Sequence, residues 1–232
     1  MFMPNTIRFL MISNEDNMEL MARYEDNYFD LAIVDPPYGI GADKAQNAAA
    51  ESRKKANGKS KSGRGWKEYK DSNWDNVIPT DEYFKEVFRV SKKQIIWGGN
   101  YFPFIWNYSN SFLIWNKMQR DFSLADGELA WYSETQKAMR IFDFSRGGAL
   151  ANNNRNGGRF HPTQKPVKLY EWILINYAKK GDTILDTHLG SGSIAIACHN
   201  LGYELTACEL DKEYYDLAMK RIEQHKQQLR MF

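Results

Sequence analysis

The stretch from Thr183 to Glu209 constrains the fold of this 232-residue chain more than any other. Thr183-Ile184-Leu185 is a short apolar run ending in Asp186. Gly190-Ser191-Gly192 interrupts the chain, Ser193 to Leu201 reads as a helix, and Leu205 to Cys208 is a second apolar run ending in Glu209. Strand, glycine turn, helix and strand in so short a span describe two parallel strands joined by a right-handed helical crossover. Parallel sheets are covered on both faces, so the rest of the chain must supply more strands and more helices.

Its hydrophobic pattern does so. Strands are expected at Ile7–Ile12, Leu31–Val34, Gln94–Trp97, Ser111–Trp115 and Glu128–Tyr132, with Ala138–Phe144 as a hairpin partner of the last. Helices are expected at Met18–Tyr24, from a Thr80 cap to about Val90, and at Pro166–Ala178, where Leu169, Trp172, Ile173 and Tyr177 share a face and Gly181 follows the end. Asp211 should cap the last helix, which buries Tyr214, Leu217, Ala218 and Ile222. Residues 145–160, rich in Gly, Asn and Arg, read as an exposed loop. Trp97, Trp106 and Trp115 read as core. The expected fold is α/β: a mostly parallel sheet with an antiparallel edge and helices on both faces. At 43% hydrophobic the chain can bury one sizeable core, so a single domain over 1–232 is expected.

Other classes fall away. A net charge of +2 produces no global field for nucleic acid, so any such contact must be local. Cys198 and Cys208, the only cysteines, lie in expected core elements and suggest neither a disulfide framework nor a zinc site. His161, His188, His199 and His225 show no metal spacing, and no metal is expected. No run approaches membrane-spanning length and no leader pattern opens the chain, so a soluble, cytoplasmic protein is expected.

Two places carry chemistry. Leu31–Val34 ends in Asp35-Pro36-Pro37-Tyr38, and neither proline can donate to a sheet ladder, so the strand stops there. A carboxylate and an aromatic ring are left at the carboxyl end of a parallel strand, where open α/β sheets bind their ligands. The second place is the glycine turn with Glu209, 17 residues after Gly192, a pattern suited to a nucleoside whose ribose hydroxyls meet the acid. Asp186 stands four residues before Gly190 and would repel a diphosphate. It suits a ligand bearing an ammonium group, such as the amino-acid half of S-adenosylmethionine. Just after Tyr38 comes a segment, 42–74, nearly free of large aliphatic residues. Between 51 and 71, eight Lys or Arg residues stand against Glu51, Glu68 and Asp71. It reads as a basic insertion suited to phosphate backbones.

With these pieces in hand, the chain resembles the β class of S-adenosylmethionine-dependent DNA adenine-N6 methyltransferases. Four stretches carry the resemblance: Asp35-Pro36-Pro37-Tyr38; Ile95-Ile96-Trp97-Gly98-Gly99-Asn100-Tyr101; His161-Pro162-Thr163-Gln164-Lys165-Pro166; and Leu185–Ser193 followed by Glu209-Leu210-Asp211. Their order, catalytic motif first and glycine turn late, implies a circularly permuted Rossmann-like methyltransferase fold, with the first strand beside the strand of Glu209.

The resemblance also implies roles. Asp35, Pro36, Pro37 and Tyr38 would hold a flipped-out adenine. Asp186, Gly190, Ser191 and Gly192 would hold the methionine half of the donor, with Leu189 packing nearby. Glu209 would take the ribose, one of the acids Glu15 and Asp16, with Asp16 preferred, the donor's adenine, and Lys165 its carboxylate. Here Thr187, His188 and Leu189 stand where the family usually has Pro and Phe. Phosphate contacts are expected from Arg53, Lys54, Lys55, Lys59, Lys61, Arg64 and Lys67, and from Arg155 and Arg159 in the 145–160 loop. The implied partners are duplex DNA and the methyl donor, with a homodimer left open and restriction–modification as one biological setting. Cytosine-N4 or RNA methylation on the same fold, and a catalytically silent nucleic-acid-binding homologue, remain as alternatives.

Overall fold

The structure is a computed structural model that describes residues 10–41, 75, 77–120, 125–155, 160–161 and 163–229. Eight strands form one sheet: β1 (Leu10–Ser13), β2 (Leu31–Val34), β3 (Gln94–Trp97), β4 (Ser111–Asn116), β5 (Gly127–Tyr132), β6 (Arg140–Asp143), β7 (Thr183–Asp186) and β8 (Glu204–Cys208). The helices are α1 (Asn17–Met21), α2 (Asp81–Val90), α3 (Arg146–Arg155), α4 (Val167–Tyr177), α5 (Ser193–Leu201) and α6 (Lys212–Leu229). The spatial order is β1-β8-β7-β2-β3-β5-β4-β6.

The first strand pairs in parallel with the last, Leu10 opposite Leu205 and Ser13 opposite Cys208, as the permuted order implied. From β1 to β3 all pairings are parallel, so the carboxyl ends of β1, β8, β7, β2 and β3 share one edge of the sheet. Among the described strands only β5 runs the other way, bonded antiparallel to β3 on one side and β4 on the other.

Each central strand alternates its side chains between two cores. Leu31, Ile33, Ile95 and Trp97 face the layer built with α4, α5 and α6. Ala32, Val34 and Ile96 face the layer built with α1 and α2, where Leu20, Met21, Phe84 and Val87 are buried. All four residues of β2 and of β3 are buried, which explains their continuous apolar runs.

Three expectations change. The 138–144 segment does not pair with 128–132. Both edges of β5 are occupied, and β6 joins the free edge of β4 in parallel. Much of the 145–160 stretch is helical despite its glycines and asparagines. The Ser145 hydroxyl accepts from the Gly148 N–H (3.1 Å), and Ala149 is buried as a point of packing. Trp97 and Trp115 are core, but Trp106 is 54% exposed, with its indole N–H donated to the Gly99 carbonyl at 2.8 Å. A few indole atoms can be anchored that way while the ring stays in water.

Candidate active site at the carboxyl edge of the sheet

Because β2, β7, β8 and β1 end on the same edge, Asp35, Thr187, Glu209 and the turn after Ser13 converge there. Between them lies a cavity of about 410 Å³, within the range of small-molecule sites. Asp35, Lys165, Gly190, Ser191, Glu209 and Tyr214 are among its walls.

One wall is the βα turn after β7. Gly190, at φ +52°, donates its N–H to Glu209 Oε2 (2.8 Å), and Asp211 N–H donates to the other oxygen (3.0 Å). Burial pushes the Glu209 carboxyl up, and these N–H groups pull it back. Gly192, at φ +71°, is the left-handed residue before α5; a side chain there would press on Ile222 at 3.1 Å. The left-handed backbone favours glycine here, and Gly192 is not among the residues lining the cavity. Ser193 hydroxyl donates to the Lys165 carbonyl (2.7 Å), and Arg221 donates to the Ser191 carbonyl (2.7 Å) and the Ser193 hydroxyl (3.0 Å). Arg221 thus ties α6 to the turn; sequence reasoning missed it, since it reads as an ordinary helix-face arginine. Asp186 lies beneath this wall, 2% exposed, and accepts the His188 N–H at 3.0 Å. Burial raises its carboxyl to about 8. Leu189 lines the wall and is buried, and neutral His188 is held between Asn17 (3.2 Å) and Thr187 (2.9 Å). Burial lowers the His188 imidazole to about 4.

The other wall is the turn after β2. Asp35 Oδ1 accepts the Tyr38 hydroxyl (2.6 Å), and Oδ2 accepts Lys165 Nζ (2.5 Å). Pro36 is buried, and Pro37 lines the cavity. The Tyr38 and Gly39 N–H groups both donate to Asp75 Oδ1, at 2.6 and 3.0 Å, and Asp75 is 1% exposed. The ring of Tyr38 stacks on Tyr101, with centroids 5.2 Å apart and planes 17° off parallel. Gly98 explains how that ring fits: at φ +71°, a Cβ would stand 2.2 Å from Tyr38 Cε1. The Gly98-Gly99 pair was visible in the sequence as the end of β3, whereas nothing there marked Asp75, far along the chain, as a support of the turn.

Two residues expected to touch the donor have partners within the protein. Asp16 accepts the Met18 N–H (2.8 Å) as the cap of α1, while its neighbours Glu15 and Asn17 line the cavity. Glu15 is held by Arg23 and the Ser13 hydroxyl, and its hydrogen bond to Arg23 keeps the carboxyl down at about 2. The Lys165 ammonium, 1% exposed, lies between Asp35 and Glu128. Arg53, Lys54, Lys55, Lys59, Lys61, Arg64, Lys67 and Arg159 lie outside the described residues, and Arg155 is the last residue of α3. Among the described residues no cluster of His, Cys, Asp and Glu is placed to hold a metal, and no helix is long and apolar enough to cross a membrane.

This architecture is that of an α/β methyltransferase. The M1.HpyAVI–SAM complex superposes with a TM-score of 0.58 at 20% identity, over 92% of this chain and 99% of that one. The cytosine-N4-specific PvuII DNA methyltransferase superposes with a TM-score of 0.56 at 12% identity, over 93% and 89%. Residues 107–220, just under half of the chain, match the model of the N6/N4 DNA methylase family. The Type II methyltransferase M.HpaI of Haemophilus parainfluenzae is 24% identical, over 89% of this chain and 72% of its own length. Members of the family draw their methyl group from S-adenosylmethionine. The family match starts after Asp35–Tyr38, so that motif rests on sequence and geometry alone.

Proposed function

We propose that the protein methylates the N6 amine of an adenine swung out of duplex DNA at a specific sequence, with S-adenosylmethionine as donor. The observation that carries this reading is the shared cavity: Asp35 lines the same space as Gly190, Ser191 and Glu209. An amine held by Asp35 would therefore face a ligand held by the glycine turn.

The residues present fit such a donor. Asp186 is a buried acid whose carboxyl is raised to about 8 by burial, and an ammonium beside it would favour the charged form. Glu209 spends one hydrogen bond on each oxygen and keeps lone pairs for ribose hydroxyls. Ser191 and the N–H groups of the turn are suited to the methionine half. When bound, the donor supplies a methyl group on a sulfonium, an electrophile that needs no covalent protein intermediate.

The chain's own residues prepare the nucleophile. An exocyclic amine is weak because its lone pair is delocalised into the ring. Asp35 would accept one of its hydrogens and the Pro36 carbonyl the other, which draws the nitrogen toward tetrahedral geometry and stabilises the charge that develops on it. Both acceptors are fixed beforehand, the carboxylate by Tyr38 and Lys165 and the turn by Asp75. Alignment within the cavity supplies much of the rest. Tyr38 would stack on the extruded base, and a base on its covered face would take the place of Tyr101. Phosphate contact would fall to the basic residues from Arg53 to Lys67 with Arg155 and Arg159.

Aspartate at the head of the motif supports adenine. The shared fold with a cytosine-N4-specific enzyme supports N4 methylation as the second reading. Expression in a methylation-free host, followed by long-read sequencing of its DNA, separates them: N6-methyladenine in one sequence context is expected. N4-methylcytosine alone would replace the reading. No modified base, together with no donor binding by calorimetry, would leave a silent binding homologue.

A further inference from the structure

We propose that Lys165 is a positioning residue for Asp35, gripped from behind by Glu128, and that it does not bind the donor's carboxylate. The inference rests on the reading of Asp35 as the amine's acceptor.

An ammonium has three protons and no acceptor. Lys165 Nζ has three acceptors around it: Asp35 Oδ2 at 2.5 Å, Glu128 Oε2 at 3.1 Å and Tyr38 Oη at 3.2 Å. No proton is left for a further anion. The ammonium also stands 5.1 Å from the centre of the Trp97 ring, which closes another approach. Glu128 is itself shared, with Lys117 Nζ at 2.7 Å on its other oxygen. The charges alternate from Lys117 through Glu128 and Lys165 to Asp35. A buried ion without its partner is costly, so each member of this row requires the next.

Strand direction delivers Glu128 to this place. Trp97 pairs with Ala130, so β5, running against β3, carries Glu128 two residues beyond Ala130, past the end of β3 and over the active edge. Lys165 comes from the other side, one residue before the Pro166 that precedes α4.

The electrostatics agree. Burial disfavours the Lys165 ammonium, but Asp35 and Glu128 outweigh it and keep the group protonated. Burial likewise opposes ionised Glu128, and its two lysines hold it down at about 2. For Asp35, burial pushes the carboxyl up, Lys165 pulls it down, and Glu128 adds a push upward. The other titratable groups facing Asp35 are Tyr38 on its own turn, Tyr83 on α2, Tyr170 on α4 and Asp186 at the end of β7. The tyrosines stay neutral, and Asp186 is uncharged over most of the range below about 8.

The test compares Lys165→Met with Glu128→Gln. Removing the cation should shift the Asp35 titration upward and removing the anion should shift it downward. It is read as the acid limb of the single-turnover rate and, independently of activity, as the carboxyl 13C shift of Asp35 in the ligand-free protein. The methionine variant should lose about 100-fold in rate at neutral pH, the size of a lost acid–base group. Lys165→Arg should keep the wild-type limb. Donor affinity by calorimetry should stay within about threefold of wild type in every variant, whereas loss of a charged hydrogen bond to the donor would cost tenfold or more. A tenfold loss of donor affinity with unmoved titrations would overturn the proposal in favour of a carboxylate ligand. If Lys165→Met does not fold, the downward shift in Glu128→Gln decides, and its absence overturns the proposal. Wild-type protein that methylates no DNA would sink the functional reading instead, and the 13C titration would still judge the ion row.

Discussion

The two walls of the cavity are built by opposite means. The wall proposed to hold the donor is local: Gly190, Asp211 and Glu209 are joined by backbone N–H groups over about one βαβ unit. The wall proposed to hold the amine is assembled from afar. Asp35–Tyr38 is held by Asp75 beneath its N–H groups, by Tyr101 on its ring, by Gly98 in the space under it, and by Lys165 on its carboxylate. A local site is rigid because the chain has few ways to move it. A distributed site can be adjusted from many positions and damaged from as many. Lesions in the first wall should therefore appear in donor affinity, and lesions in the second in the rate of transfer.

The sharpest way to break this division is Asp35→Ala. It should lower single-turnover methylation by about a thousandfold or more while calorimetry still detects the donor, since one fixed acceptor of a developing charge is worth about that much. Loss of donor binding to the same degree would mean that the walls are not separable.

Asp186→Asn should act on the other wall, weakening donor binding about tenfold or more through the missing charge partner of the ammonium. The same variant makes a pH prediction for the ligand-free protein. The folded carboxyl sits near 8, above its unfolded value, so its contribution to stability is complete below about 4 and is lost as pH rises through 8. The melting temperature of Asp186→Asn should thus be less sensitive to pH over that window and exceed wild type at pH 9, as thermal denaturation across pH would record.

Gly98→Ala should come next. The added methyl group meets the Tyr38 ring and the backbone is left-handed, so a stability loss of about 1–3 kcal/mol is expected by denaturant titration. The transfer rate should fall about tenfold as the ring shifts. Asp75→Ala should have the smallest effect, a few-fold loss in rate with donor affinity unchanged, because its two N–H donors can turn to water at some cost in order. An equal loss of donor affinity in either variant would show that the catalytic turn also shapes the donor wall.

The same contrast explains what the sequence disclosed. Local chemistry was legible: the glycine turn with Glu209, the proline stop after Asp35, the cap at Asp211, which accepts from Glu213 and Tyr214 N–H groups, and the buried runs of β2 and β3. The permuted order even placed β1 beside β8. Long-range partners were not. Periodicity marks Glu128 as a strand residue but is silent on strand direction, so its contact with Lys165 was invisible. Lys165 in a cofactor-type motif invited an anionic ligand, and only tertiary structure shows that two protein carboxylates surround it. The helix α3 was missed because Gly and Asn have poor propensity, which packing against α4 overrides. The pairing of β6 depended on which sheet edge was free.

The lone reversed strand also works as a gauge. Side chains alternate faces with each residue, so a one-residue slip of β5 against β3 would turn Glu128 to the opposite face of the sheet. A two-residue slip would keep the face but carry the carboxylate about 7 Å along the strand. Either error would move Trp131 out of its buried place and leave Lys165 and Asp35 without their neighbour. Correct alignment in the middle of the sheet is thereby checked both by packing and by charge at its edge.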